Sequence, residues 1–213
     1  MCMGVTLKMM PEMKRNYVGS YKGLMITVLE IFAYHPHIRL YSIRAAFGFG
    51  SMMAIWSCLA FKLAQAPFFM GSEMVGTLGL CGIAGALAAS GMGKLIPKFG
   101  IRKFSIFGAV VQIAAWTIAN LAGDTYAGLV TAIILVDIGL QCQQLSNQSG
   151  CIQEIPEAAN RANTIFMTTY FVGGSLGTFC AGWAWTQIGW LGVCLVGFIF
   201  AMLSLCVSIC TSR

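Results

Sequence analysis

Charged side chains make up only 9% of this 213-residue sequence, where a soluble globular domain carries roughly 25%. A soluble globular fold is thereby excluded. Proline is scarce at 5 residues and histidine scarcer at 2, so few rigid turns interrupt the chain and little imidazole is available for chemistry. Both histidines, His35 and His37, precede the first long apolar run, and no Cys-x-x-Cys pair occurs among the nine cysteines. Neither a metal site nor a thiol oxidoreductase is expected. An intramembrane serine protease needs a helix-borne histidine base, which is missing, so no enzyme activity and no cofactor are expected. Lys8, Lys14 and Arg15 break up the N-terminal segment before any apolar stretch forms, which does not fit a secretory signal peptide.

What the sequence has in abundance is apolar surface: 58% of its residues are hydrophobic, and Cys58, Cys81, Cys180, Cys194, Cys206 and Cys210 fall inside apolar runs as small core residues. A hydrocarbon layer about 30 Å thick is crossed by about 20 helical residues. Backbone polar groups in lipid must be satisfied within each segment, so every long apolar run is expected to be a helix. Six runs meet that length: 40–64, 69–95, 104–122, 126–146, 162–185 and 190–210. The expected fold class is an all-α, polytopic membrane protein whose first partner is the bilayer, with no nucleic-acid partner. Short turns at 65–67, 123–125 and 186–189 and longer polar loops at 94–103 and 151–161 join the runs.

An even number of crossings leaves both termini on one side. Lys8, Lys14, Arg15, Lys22, Arg39, Arg44, Lys94, Lys98, Arg102, Lys103, Arg161 and Arg213 all fall on that side, with Lys62 alone near the other. The excess of positive charge in cytoplasmic loops makes both termini cytoplasmic in this reading. Residues 1–39 differ in composition from the rest and read as a cytoplasmic linker. Within it Tyr21, Leu24, Met25, Val28 and Phe32 recur at helical spacing opposite Lys22, Thr27 and Glu30, the pattern of an amphipathic interfacial helix.

The fourth run carries the residue that a membrane tolerates least. Asp137 lies eleven residues past Tyr126, or roughly 16 Å along the helix, which is near mid-membrane. A central Asp costs about 2.5 to 3.5 kcal/mol to insert. Gln141, Gln144 and Gln148 fall within about 40° of it on the helical wheel, so the four form one polar stripe that must line a cavity or bond a neighbouring helix. No other ionisable group sits at mid-depth in the six runs. Asp137 is therefore expected either to hold a proton or to find a partner on another segment, and both readings allow proton coupling.

Glycines mark where helices approach closely. Gly82 and Gly85 in the second run, and Gly173, Gly174 and Gly177 in the fifth, form small-residue stripes suited to tight helix packing.

After the second run the sequence reads Gly93-Lys94-Leu95-Ile96-Pro97-Lys98-Phe99-Gly100-Ile101-Arg102-Lys103, which resembles the basic loop between the second and third helices of each half of major facilitator superfamily permeases. Asp137-Ile138-Gly139, Asn147-Gln148 and the run from Asn163 to Gly177 look like the C-terminal half of bacterial permeases of this kind. Pro97 stands where the family pattern has an Asp, so the usual carboxylate latch is not expected at that helix end. The resemblance implies one six-helix half of a twelve-helix fold, in which substrate binds between two halves that rock about a midplane site. It further implies a proton-coupled exporter (an antiporter) of small solutes in the bacterial inner membrane. In that reading Asp137, Gln141, Gln144 and Gln148 face the cavity, and Gly93, Lys94, Lys98, Gly100, Arg102 and Lys103 serve as a cytoplasmic gating loop. An N-terminal six-helix half would be the partner. A self-associating channel or scaffold, or a transporter fragment without activity, fits the composition equally well.

Overall fold

The computed structural model describes residues 21–71 and 73–210. Lys8, Lys14, Arg15 and Arg213 lie outside the described residues, as do the side chains of Tyr21, Lys22, Leu24 and Met25. The chain folds into helices α1 (Tyr21–Tyr34), α2 (Pro36–Ala64), α3 (Glu73–Leu78), α4 (Gly82–Phe99), α5 (Ile101–Ala122), α6 (Tyr126–Glu154) and α7 (Ala159–Cys210). Short 3-10 turns at Gly79–Cys81 and Pro156–Ala158 precede α4 and α7.

Local chemistry explains most of these boundaries. Pro36 opens α2 at a position whose N–H has no helical acceptor, after His35 in extended conformation. Thr125 caps α6 by accepting from the Gly128 N–H at 3.1 Å. α7 breaks at Ile188 and Gly189, where Gly189 takes φ 60° at no steric cost. Its two arms, 159–187 and 190–210, fold back on each other, because a side chain at Gly50 of α2 would meet both Gly173 and Phe200. A straight helix would hold those two residues roughly 40 Å apart.

Among the described residues, four helical stretches are long and apolar enough to cross a membrane: Pro36–Ala64, Ile101–Ala122, Tyr126–Glu154 and Pro156–Cys210, the last containing the reversal. The run expected over 69–95 is not one helix. Phe69 adopts φ 49°, and the chain passes through α3 and a 3-10 turn before α4 begins. Gly76, Gly79 and Gly82 fall together there, each costing about 1 kcal/mol against a continuous α-helix. The loop expected over 94–103 shrinks to one residue. α4 continues through Pro97 to Phe99, and Gly100 alone joins it to α5 with φ 87° and ψ 151°. Only glycine holds that conformation without strain. Gly100→Ala is therefore expected to cost about 1–3 kcal/mol although nothing crowds its Cβ, while Gly91→Ala inside α4 gains up to about 1 kcal/mol. Thermal unfolding in detergent checks the pair.

α2 is the central rod. Towards one end Ala54, Ile55, Leu59 and Leu63 join Trp116, Leu129, Ile133 and Val193 in a buried cluster. Towards the other, Ile38 and Ala45 join Ile31 of α1, Leu140, Ala162, Phe166 and Tyr170. The basic residues sort by end. Arg44 and Arg102 gather around the C-terminus of α7, with Lys98 and Lys103 beside them in sequence, whereas Lys62 lies at the opposite end against Asp124 and Trp190.

Candidate functional site

The site is built on α6. Asp137 is 7% exposed, and its Oδ1 accepts from the Trp56 indole N–H of α2 at 3.3 Å. Its other flank lies under α4. A Cβ added at Gly82 would sit 4.0 Å from Asp137 Oδ2, and one at Gly85 would sit 3.4 Å from Asp137 Cβ and 3.7 Å from Gln141 Cγ. These two glycines leave room for the polar stripe, beyond the helix packing expected from the sequence. Among the described residues the one ion pair joins Lys62 and Asp124, 2.5 Å apart, so no cation neutralises Asp137.

The stripe divides between two neighbours. Asp137 and Gln141 lie beside α4, whereas Gln144 and Gln148 meet the first arm of α7. Gln144 accepts from the Tyr170 hydroxyl at 3.0 Å, and Gln148 donates to Asn163 Oδ1 at 2.9 Å. Tyr170 is held in turn by Phe49, whose ring stacks on it with centroids 4.0 Å apart. The stripe thus presents a carboxylate, amides, an indole and a phenol on three helices. Such a set can hold a proton and exchange hydrogen bonds with a polar solute.

The fifth-run glycines have a different task. Gly173 and Gly177 bring the first arm of α7 against the backbone of Ala46 and Gly50, and Gly174 faces the Phe49 ring. In the basic segment, Arg102 donates to the Ser208 and Ile209 carbonyls at 3.1 and 2.9 Å, and Arg44 reaches Val207 and Ser208 at 3.4 and 3.5 Å. Two arginines therefore satisfy carbonyls that the end of a helix leaves unpaired. Lys98 and Lys103 are exposed, Gly93 and Lys94 lie in α4 with side chains outside the described set, and Gly100 is the joint.

A second polar system escaped the sequence reading. Gln143 donates to Gln112 Oε1 at 2.8 Å and accepts from Ser204, while Gln112 donates to the Gly48 carbonyl at 3.1 Å. Asn147 donates to Ser105 at 3.1 Å, and Ser105 meets Ser208 at 3.2 Å. All these side chains are fully buried, and they tie α2, α5, α6 and the second arm of α7 together. The available signal was Gln112, an amide midway along an apolar run. Gln143→Leu strands the Gln112 carbonyl oxygen, and a loss of about 1–3 kcal/mol is expected, read as a lowered melting temperature.

The chain is 30% identical over 198 residues to "Uncharacterized transporter YgaY" of Escherichia coli O157:H7, which covers 93% of this chain and 50% of that protein. It is 28% identical over 194 residues to "Probable transporter SCO4007" of Streptomyces coelicolor, covering 90% of this chain and 44% of that one. The chain spans about half the length of the curated relatives it matches. No protein-family model matches the sequence, and no solved structure matches it. The long apolar helices support a multi-pass membrane protein, and the relatives it matches are named as transporters.

Proposed function

We propose that this chain is the C-terminal six-helix half of a major facilitator-type secondary transporter that exports small solutes against proton entry. Asp137 carries the reading. It is a buried carboxylate near mid-depth with one N–H donor and no cation among the described residues, an arrangement that membrane proteins otherwise avoid. The six crossings are α2, the α3–α4 segment, α5, α6 and the two arms of α7. The end bearing Arg44, Lys98, Arg102 and Lys103 faces the cytoplasm of a bacterial inner membrane, as the positive-charge rule requires. Solute sits against Trp56, Asp137, Gln141 and Gln144, and the missing wall of the cavity is a complementary half. The Gly100 joint and its flanking cations form the cytoplasmic gate.

Photocrosslinking in native membranes from position 83, where Ile83 is exposed on α4, tests the need for that second half. Adducts to a different six-helix unit are expected. Adducts only to copies of this chain would replace the half-transporter reading with a self-assembled channel or scaffold.

A further inference from the structure

A second recess lies away from the polar stripe, between the end of α4 and the start of α5. It has a volume of about 430 Å³ and is lined by Leu95, Phe99, Phe104 and Phe107, with Lys103 at its edge. The lining is almost wholly apolar, yet Leu95, Phe99 and Phe107 are each about half exposed, so the recess opens outwards. Lys98 does not line it, but its ammonium lies 5.6 Å from the centre of the Phe99 ring, which does. Phe99 and Phe104, which both line the recess, have ring centroids 6.3 Å apart. Arg102 is engaged elsewhere, since its Nε and Nη2 both donate to α7 carbonyls. Neither Lys98 nor Lys103 has a carboxylate partner among the described residues.

An apolar slot with Lys103 at its edge and Lys98 beside its Phe99 wall, neither in an ion pair and both at the end of the protein where positive charge gathers, complements a molecule with a hydrocarbon chain and an anionic head. We propose that this groove binds an anionic phospholipid, one acyl chain lying along Leu95, Phe99, Phe104 and Phe107 and the phosphate meeting Lys98 and Lys103. A zwitterionic lipid offers the same chain, but its own cation opposes the lysines. Basic pockets between membrane helices are suited to anionic headgroups for this reason. The inference goes beyond transport and uses neither Asp137 nor the glutamine stripe.

The test is native mass spectrometry of the full chain in neutral detergent, with phosphatidylglycerol and phosphatidylcholine of identical acyl chains at equal concentration. A severalfold excess of bound phosphatidylglycerol is expected, falling to near parity in K98Q/K103Q and persisting in Arg161→Gln, which changes a cation at the same end but outside the groove. Lys103→Arg keeps the charge and is expected to keep the preference. Soluble glycerophosphate is expected not to displace the lipid. Equal retention of both lipids, a preference that survives K98Q/K103Q, an equal loss in Arg161→Gln, or displacement by glycerophosphate would each overturn the proposal.

Discussion

Asp137→Asn is expected to abolish proton-driven transport by the assembled protein, lowering gradient-driven flux about a hundredfold or more, the scale set by losing a positioned proton-transfer group. The amide keeps the size of the carboxyl and still accepts from the Trp56 N–H. It also removes the cost of a charge in the membrane, so insertion and folding are expected to be undisturbed or slightly improved. Passive exchange of solute down its own gradient is expected to continue, because the Gln141 and Gln144 amides and the Tyr170 hydroxyl remain. The measurement is solute flux with and without an imposed pH gradient, beside the exchange rate at equal pH. Unaltered proton-driven flux would leave Asp137 as a polar packing residue held by Trp56 and the glycines of α4.

The largest structural effect is expected at Gly177. A side chain there would run into the backbone of Gly50, which cannot swing aside as a flexible side chain does. Gly177→Val must therefore push the first arm of α7 off α2, and with it Tyr170, Phe49 and the hydrogen bond to Gln144. Overpacking commonly costs about 1–3 kcal/mol, and with backbone as the obstacle the loss is expected at the top of that range or above. Gly182→Val is the control, because nothing lies within 4 Å of its added Cβ. Thermal unfolding of the two variants in one detergent is expected to separate them clearly.

The legible parts of this protein are those where a single residue had one physical solution. Asp137 stood out because depth and charge conflict in lipid, and the structure gives it an indole partner. The turn expected over 186–189 falls at Ile188 and Gly189, where α7 reverses, and the small-residue stripe of Gly173 and Gly177 meets α2. Other parts depended on which neighbour arrived. A helical wheel groups Asp137 with Gln148, but the fold sends the upper pair to α4 and the lower pair to α7. Gln143 lies off that stripe, and its value comes from Gln112 and Ser204, 31 and 61 residues away in sequence. No local pattern records such a pairing. The basic segment read as a loop because lysine, proline and glycine cluster there, whereas Pro97 in the last turn of α4 is tolerated and only Gly100 leaves the helix.

In the proposed function this chain supplies one wall of a transport path that a complementary half completes. Solute flux into liposomes tests it most directly. The chain is reconstituted alone and then together with the six-helix unit captured by crosslinking from α4. No saturable gradient-driven flux is expected from the chain alone, and saturable flux that depends on Asp137 is expected once both halves are present. Saturable flux from the chain alone, or none from the pair, would contradict it.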